Sequence, residues 1–249
     1  VELRVREARL RWPVSFEMPV LVEGRLIKSV DRRGKYLLFL LEGDKAMLLH
    51  LGMSGSVRVV PSGLPPLKHD HIDLVLDNGA ALRFHDPRRF GSLHYAEQPL
   101  ERHPLLRKLG PEPLSEEFNG QYLFNKSRAR RLSVKPFIMD SHVVVGVGNI
   151  YATESLFRTG IHPARSAGRI SLQRYEQLAD NIGEVLSEAI EIGGTTLRDF
   201  TNSKGEPGYF QQVLNVYGRG GMPCKRCDSR LKSVALGQRA TVYCPRCQR

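Results

Sequence analysis

The chain has 249 residues, of which 41% are hydrophobic and 25% are charged, a composition that excludes a disordered or collagen-like protein. There are 37 Lys and Arg against 26 Asp and Glu, and this net charge of +11 favours a polyanionic partner, nucleic acid before an anionic membrane surface. The longest apolar run, YLLFLL at 36–41, is too short to cross a membrane, and the charged start has no apolar segment typical of a secretory signal. We therefore expect a soluble intracellular protein.

The first half of the chain is predicted to form short strands that Gly and Pro separate. These strand-like runs lie around 20–30 and at 36–41, 46–52, 55–60, 72–76 and 80–84. The last two runs are joined by Asp77-Asn78-Gly79, which predicts a hairpin because Asn and Gly tolerate a positive φ angle. Frequent strands without helices between them favour an antiparallel sandwich or barrel over parallel βαβ units.

After LGPEP at 109–113, which is our candidate linker, the hydrophobic period becomes helical. Ser115 is the expected cap of a helix within EEFNGQYLFNK at 116–126. Asn149 is the expected N-cap of a second helix of about three turns, which Gly160 ends. The second half of the chain is therefore predicted to be mainly helical.

The clearest helix lies at 172–192, where apolar residues recur at spacings of three and four until Gly193-Gly194 ends it. A polar loop at 202–208 follows, and then a basic tail at 215–249 with eight Lys and Arg against a single acid. A second basic stretch at 126–135 contains five positive charges and no acid. One basic stretch alone is explained by a solvated surface, but two in one chain favour a nucleic-acid partner.

All four cysteines lie in the basic tail, as the pairs Cys224-x2-Cys227 and Cys244-x2-Cys247 with sixteen residues between them. This spacing is typical of a structural tetrahedral zinc site, with a β-hairpin bringing the two pairs together. Two disulfides are the alternative, but four cysteines in a large chain without a secretory signal do not make a disulfide scaffold. We predict one structural Zn2+ in a small basic hairpin.

For three shorter motifs, residue type alone does not decide the function. Gly146-Val147-Gly148 lacks the third glycine of a dinucleotide loop, although the N–H groups that follow it suit a phosphate as well as an ordinary helix start. His69-Asp70-His71 has the spacing of a metal pair, but no third ligand is evident, so hydrogen bonding or phosphate contact is preferred. Asp86-Pro87-Arg88-Arg89-Phe90 places two guanidinium groups and a ring in a turn, where the ring could enter a base stack.

Many motifs occur together in the order found in one family. They are RRGKYLLF (32–39), LHLGMSG (49–55), KHDHIDL (68–74), DPRRFG (86–91), LGPEPL (109–114), KPFIMD (135–140), VVGVGNIYATESLF (144–157), GGTTLRDF (193–200), PGYF (207–210), the four cysteines and QRATVYC (238–244). From about Arg9 to its last residue the chain resembles the formamidopyrimidine-DNA glycosylases, also called MutM.

The resemblance implies an α+β fold in three parts. These are an antiparallel β-sandwich over 1–110, a helical helix-two-turn-helix domain over 114–210, and a zinc finger with a β-hairpin over 215–249. The helical part includes a lesion-capping loop at 195–210, and DNA is expected in a basic cleft between the parts. Each boundary is an expectation from the family.

The family excises oxidised purines, such as 8-oxoguanine and formamidopyrimidines, and cuts the strand by β- and δ-elimination. The resemblance therefore implies a monomeric DNA glycosylase and AP lyase of base-excision repair that acts on double-stranded DNA in the bacterial cytoplasm. Three alternatives stay open: a binding-only homologue, an endonuclease VIII-type glycosylase for oxidised pyrimidines, and an RNA-binding zinc-ribbon protein.

The resemblance also implies roles for individual residues. Lys35 matches a phosphate contact and the proton donor of β-elimination, and Arg239 matches the zinc-finger arginine assigned to δ-elimination. Met53, Arg88 and Phe90 match the trio that fills the gap left by an everted base. The other expected DNA-binding residues are His69, Arg130, Lys135 and Asn149.

The family nucleophile is an amino-terminal proline followed by glutamate, whereas this chain opens with Val1-Glu2 within what matches a later strand. The proline amine attacks the sugar C1′ and becomes a Schiff base. We expect the 249-residue chain to be an N-terminally incomplete version of an enzyme that binds DNA without excising a base. Lesion-dependent trapping of a Schiff base on this chain would contradict that expectation.

Overall fold

The computed structural model describes residues 1–193 and 214–249, which form two compact units. One unit contains Val1–Arg107, and the other contains Lys108–Ile192 together with 214–249. None of the described helices combines the length and hydrophobicity that a transmembrane helix requires. The expected lesion-capping loop at 195–210 lies outside the described residues.

The first unit contains eight strands, and they are β1 (Glu2–Val5), β2 (Ile27–Arg33), β3 (Tyr36–Leu41), β4 (Lys45–His50), β5 (Ser56–Pro61), β6 (Asp70–Val75), β7 (Ala80–His85) and β8 (Ser92–Glu97). They form two four-stranded sheets, with the orders β1-β6-β7-β5 and β2-β3-β4-β8, in which every neighbouring pair is antiparallel. The antiparallel sandwich is thereby confirmed.

Apolar side chains from both sheets fill the core of this unit. Phe39 and Met47 of one sheet belong to the same buried cluster as Ile72 and Phe84 of the other. Each such side chain contributes about 1.5–3 kcal/mol by leaving water. Because side chains alternate along a strand, one face of each sheet supplies this core.

The predicted hairpin between β6 and β7 is confirmed, and the strand prediction around 20–30 is partly wrong. In the hairpin, Gly79 has a φ angle of +82°, and the Asn78 side chain accepts a hydrogen bond from the Ala80 N–H at 3.1 Å. A short helix, α1 (Met18–Val22), precedes β2, with a proline in its first turn. Met18 and Val22 are four residues apart and both buried, so tertiary burial favours the helix.

The second unit contains four helices and one hairpin, and they are α2 (Gly120–Ser127), α3 (Val134–Ile138), α4 (Asn149–Thr159), α5 (Leu172–Glu191), β9 (Lys232–Leu236) and β10 (Arg239–Tyr243). The α5 helix follows its predicted period, and its buried residues, which include Tyr175, Leu178 and Ile182, join the core cluster of this unit. The hairpin predicted between the two cysteine pairs is confirmed as β9 and β10.

Two predicted helix caps are wrong. The cap of α2 is Asn119, whose side chain accepts from the Tyr122 N–H at 2.9 Å, while Ser115 donates to the Glu112 carbonyl and closes an earlier turn. A Cβ at Gly120 would lie 2.4 Å from the Glu176 Cα, so close packing on α5 requires glycine at the start of α2.

In α4, Gly148 is the N-cap and Asn149 is the first helical residue. The Asn149 amide does not cap the helix because it bonds to β10 instead. At the other end Gly160 has a φ angle of +74°, which confirms the predicted glycine terminus.

Candidate nucleic-acid interface

Two neighbouring loops of the sandwich unit contain the residues expected to enter a DNA duplex. The loop after β4 includes Met53, and the loop after β7 includes Arg88 and Phe90. Their backbones touch, since a Cβ at Gly52, where φ is +71°, would lie 2.5 Å from the Phe90 carbonyl carbon. Met53 and Phe90 are 53% and 40% exposed, and the Arg88 guanidinium lies 4.7 Å from the Phe90 ring centre. The structure therefore places all three predicted side chains together.

Asp86 links these two loops, a role that sequence reasoning missed. Its fully buried carboxylate accepts hydrogen bonds from the Ser54 hydroxyl of the first loop at 2.7 Å and from the Gly91 N–H of the second at 2.8 Å. The Arg88 N–H is a weaker donor to it at 3.3 Å. A buried carboxylate is costly unless donors satisfy it, so the two loops are held in one arrangement.

Lys35 is exposed in the turn between β2 and β3, next to His50 of β4. Burial, followed by the positive charge of Lys35, lowers the pKa of His50. The Tyr36 ring packs edge-on against the His50 ring at 5.0 Å, and burial raises the pKa of Tyr36. His50 and Tyr36 are therefore neutral at pH 7, while Lys35 and Arg11 place positive charge beside His50.

His69 has a left-handed backbone conformation, with φ at +75°, and its ring lies 6.0–6.1 Å from the rings of His71 and His85. Burial and nearby positive charges lower its pKa. His85 Nδ1 donates to Asp70 at 2.8 Å, and His71 Nε2 donates to the Asp86 carbonyl at 2.8 Å. These pairings support the hydrogen-bonding interpretation of the His69-Asp70-His71 motif over a metal pair.

A buried arginine, also missed from the sequence, holds the loop that leads to His69. Arg83 donates two hydrogen bonds to Asp73, at 2.8 and 2.9 Å, and others to the Leu64 and Pro65 carbonyls. Burial alone raises the pKa of Asp73, but hydrogen bonds from Arg83 and Arg6 lower it to about 2. Through Arg83, the buried Arg83–Asp73 pair therefore holds the backbone at Leu64 and Pro65 against the core of the unit.

In the second unit, the four cysteine sulfurs form one cluster within 4.8 Å, the only such group of possible metal ligands in the described residues. Three of the sulfur–sulfur distances are 3.4, 3.5 and 4.0 Å. Thiolates at about 2.3 Å from a tetrahedral zinc lie about 3.8 Å apart, so the cluster fits the ion. Free thiols at these distances exclude the two-disulfide alternative, and one structural Zn2+ is confirmed.

The zinc hairpin packs on α4 through a small apolar cluster and several polar contacts. Phe157 of α4 belongs to the cluster that contains Val242 and two of the cysteines. The Arg226 guanidinium lies 4.6 Å from the Phe157 ring centre and donates to the Phe157 carbonyl. Gln248 donates to the Ile161 carbonyl at 2.9 Å, so both ends of the zinc site contact the helical part of the unit.

Glu154 of α4 anchors the segment that leads into the zinc hairpin, and the sequence reasoning missed it as well. Its carboxylate is 1% exposed and accepts N–H bonds from Asn215, Val216 and Tyr217 at 2.8–2.9 Å. The Asn215 side chain donates a fourth hydrogen bond at 3.1 Å. The sequence alone gave no sign of this role, because the N–H groups that Glu154 binds lie more than sixty positions further along the chain.

Three predicted residues meet around β10. Arg239 is exposed at its start, while Lys135 is 1% exposed and donates to Thr241 Oγ1 at 2.7 Å and to the Ala240 carbonyl at 3.2 Å. Asn149 Nδ2 donates to the same carbonyl at 3.2 Å. Burial, followed by the charge of Arg239, lowers the pKa of Lys135 to about 8. Because the side chain is buried, a direct contact between Lys135 and a phosphate would require the residues that cover it to move.

Arg130 is exposed in the turn after α2. Its carbonyl accepts from the Gly168 N–H at 3.1 Å. Burial raises the pKa of Asp140, but hydrogen bonds from His142 and, to a smaller extent, the charge of Arg130 lower it. The backbone of the turn is thus held in place while the guanidinium faces solvent.

Three family models match the chain. The formamidopyrimidine-DNA glycosylase N-terminal domain matches residues 1–93, and the H2TH domain of the same enzyme matches residues 109–201. The zinc finger found in FPG and IleRS matches residues 221–249.

Curated relatives and solved structures agree with these matches. The formamidopyrimidine-DNA glycosylase of Methylococcus capsulatus is 59% identical over 250 residues, covering 100% of this chain and 92% of that protein. The one from Alcanivorax borkumensis is 60% identical over 247 residues, covering 98% and 90%. The MutM (Fpg) structure from Thermus thermophilus has a TM-score of 0.88 at 40% identity, covering 99% and 90%. The Lactococcus lactis Fpg in complex with abasic-site DNA has a TM-score of 0.91 at 32% identity, covering 100% and 92%.

Proposed function

Because this chain belongs to the formamidopyrimidine-DNA glycosylase family, we propose that it binds damaged duplex DNA through two sets of residues, one on the loops that contain Met53 and Phe90 and one around Asn149 and Arg239. The activity of the family is that of a DNA glycosylase and AP lyase in base-excision repair. The solved relatives from Lactococcus lactis are complexes with DNA that contains Fapy-dG or an abasic site. We assign the same class of substrate, a duplex with an oxidised purine or an abasic site, to this chain as a monomer.

The first set of residues fills the gap that an everted nucleotide leaves in the duplex. The enzyme has to turn the nucleotide out of the duplex because the sugar C1′ is inaccessible inside it. This eversion costs a few kcal/mol, roughly, since stacking and pairing of the base are lost. Met53 and Phe90 are apolar side chains on exposed loops, and inserting such groups between bases offsets part of this cost. Arg88 adds a cation beside the Phe90 ring, close to where the unpaired base and its phosphate would lie.

The second set binds the phosphates of the damaged strand. The N-terminus of α4 presents N–H groups and a positive dipole, Asn149 adds an amide, and Arg239 adds a guanidinium that can bind a phosphate oxygen pair. Zinc at the four cysteines has a structural role, because it holds the hairpin that carries Arg239. His69 and Arg130 are proposed to extend these contacts along the backbone.

We propose Lys35 and Arg239 as catalytic residues of strand cleavage in an enzyme that includes the family's amino-terminal proline, because the elimination steps follow the Schiff base that this proline forms. Lys35 is an exposed ammonium beside a neutral His50, and we assign it the proton transfer in β-elimination. Arg239 stabilises the phosphate that leaves in δ-elimination, since a guanidinium stays charged at every working pH.

We also propose the domain limits 1–110, 114–210 and 215–249, and a site of action on bacterial DNA in the cytoplasm. The bacterial relatives support that location. The net charge of +11 supports a salt-dependent attraction to DNA through counterion release.

The observation that supports the proposal most is the pair of exposed apolar side chains on two loops that share one buried carboxylate. The test is fluorescence anisotropy at one fixed salt concentration, with a duplex containing a tetrahydrofuran abasic analogue and the same duplex undamaged. We expect the abasic duplex to bind at least about tenfold more tightly, the equivalent of about 1.4 kcal/mol. Equal binding of the two duplexes would overturn the proposal.

Phe90→Ala should abolish most of this preference while leaving the affinity for undamaged DNA unchanged. Phe16→Ala is the matched control, because Phe16 is 89% exposed in the same unit but lies outside both loops. A duplex with 8-oxoguanine opposite C should bind more tightly than one with thymine glycol opposite A. The reverse order would indicate the class of glycosylases for oxidised pyrimidines.

A further inference from the structure

The buried ammonium of Lys135 has a specific arrangement of partners. Lysine is rarely buried, because its charge loses hydration that only close partners replace. Here the ammonium is 1% exposed and donates to two groups of β10, Thr241 Oγ1 at 2.7 Å and the Ala240 carbonyl at 3.2 Å. Two of its three N–H donors therefore hold the strand that starts with Arg239.

The Ala240 carbonyl has a second donor, the Asn149 side-chain amide, at 3.2 Å. The amide oxygen, Asn149 Oδ1, is buried and has no hydrogen-bond partner. An amide can rotate so that its oxygen and nitrogen exchange places, and no hydrogen bond to Oδ1 prevents this rotation. Rotation would bring Oδ1 against the Ala240 carbonyl, which is also an acceptor, so this carbonyl determines which way the amide points.

The orientation matters for phosphate binding. A phosphate oxygen accepts hydrogen bonds and repels another acceptor, so only the nitrogen end of the amide can bind it. Asn149 Nδ2 has two hydrogens, and the Ala240 carbonyl accepts one of them. The second hydrogen remains for a ligand at the start of α4, provided that the amide keeps its present orientation.

We propose that Lys135 is a positioning residue for DNA binding, which fixes the Ala240 carbonyl and through it keeps the nitrogen of the Asn149 amide directed to the phosphate. This role rests on the proposed function, in which Asn149 contacts the damaged strand. Lys135 acts from inside the unit, without a phosphate contact of its own. What the site needs from residue 135 is an N–H donor at the Ala240 carbonyl, and a positive charge is secondary.

The test is a double-mutant cycle measured with the tetrahydrofuran duplex at fixed salt. Lys135→Met removes the donor and should weaken binding about tenfold, as expected for one lost hydrogen bond to a charged group. Lys135→Gln keeps a neutral N–H donor and should bind within about threefold of the unmodified chain. Lys108→Met removes an exposed lysine of the same unit and is the control for the loss of one charge.

The second side of the cycle is Asn149→Ala, which should also weaken binding about tenfold. The double variant Lys135→Met, Asn149→Ala should bind no more weakly than Asn149→Ala alone, because no amide is left to position. Effects that multiply to about a hundredfold would overturn the proposal. Equal losses for Lys135→Met and Lys135→Gln would also overturn it, since a neutral N–H donor at this position would then be no better than none.

Zinc content and the thermal midpoint show whether each variant is folded. If Lys135→Met does not fold, Thr241→Val takes its place in the cycle, since it removes the other acceptor of the ammonium. Its expected loss of about threefold should disappear in the Asn149→Ala background, and persistence of the loss would overturn the proposal. If the unmodified chain does not prefer abasic DNA, the proposed function fails. If it does and the cycle is multiplicative, only the role of Lys135 fails.

Discussion

The loops that carry Met53 and Phe90 and the hairpin that carries Arg239 are supported in different ways. The loops extend from a sandwich whose core cluster contains thirteen buried apolar residues. The cluster beneath the hairpin contains six, of which two are cysteines and one, Phe157, belongs to α4. A hairpin with so little apolar burial of its own needs a metal and polar contacts to hold one conformation.

Both regions also use a buried carboxylate that accepts backbone N–H groups, but for different purposes. Asp86 joins two loops of one unit, with Ser54 and Gly91 as donors. Glu154 attaches the segment at 215–217 to α4. Loss of the Asp86 carboxylate should therefore change the positions of two loops, whereas loss of the Glu154 carboxylate should affect the hairpin as a whole.

Removal of zinc should have the largest effect and should be confined to the second unit. Binding of structural zinc to such a site contributes on the order of 10 kcal/mol to folding, so chelation or Cys244→Ser should unfold β9 and β10. DNA binding should fall to a weak, non-selective level. The chain has a single tryptophan, Trp12, and its fluorescence should report an unchanged sandwich. Selective DNA binding by the zinc-free chain would show that the hairpin does not depend on the metal.

Glu154→Gln should be the next largest effect. The substitution places an amide NH2 group, a donor, against the N–H groups of residues 215–217, at a cost of about 3 kcal/mol in the free energy of unfolding. Urea denaturation followed by circular dichroism measures this cost. Glu191→Gln, on the exposed end of α5, is the control and should change stability by less than about 0.5 kcal/mol. A matching small change for Glu154→Gln would show that the carboxylate is dispensable.

Asp86→Asn should cost about 2 kcal/mol, because one of the two carboxylate oxygens becomes a donor that faces another donor. The two loops should lose their common arrangement, so the affinity for the abasic duplex should fall about tenfold, and that for undamaged DNA should stay the same. Asp77→Asn, an exposed acid of the β6–β7 turn, is the control. Loss of affinity for both duplexes to the same degree would argue against loop positioning.

The smallest expected effect is the pH dependence that Lys135 confers on stability. Its pKa is about 8 in the folded protein and 10.5 for an ordinary lysine, so in this range the unfolded chain binds more protons than the folded one. Raising the pH therefore favours the folded state, by about 1 kcal/mol between pH 8 and pH 9. The unfolding free energy of the unmodified chain should rise relative to Lys135→Met over this interval. Parallel curves for the two chains would contradict a buried ammonium.

Wrong cap predictions show where local reasoning fails. Ser115 and Asn119 can both cap a helix, and the sequence between them does not rank the two. The choice depends on Gly120, which packs against α5 more than fifty positions further along the chain. The strand expected around 20–30 fails for a similar reason, since burial of Met18 and Val22 determines the helix there.

Spacing along the chain was enough to predict the zinc site, the β6–β7 hairpin, the long α5 helix and the family, because each depends on residues that are close in sequence or on motifs in a fixed order. Only the tertiary structure revealed the buried hydrogen bonds of Asp86, Glu154 and Lys135. Their partners lie 32, 62 and 106 positions away, at Ser54, Val216 and Thr241. Neither hydrophobic period nor residue type specifies the partner of a buried charge, since that pairing exists only after distant segments have packed together.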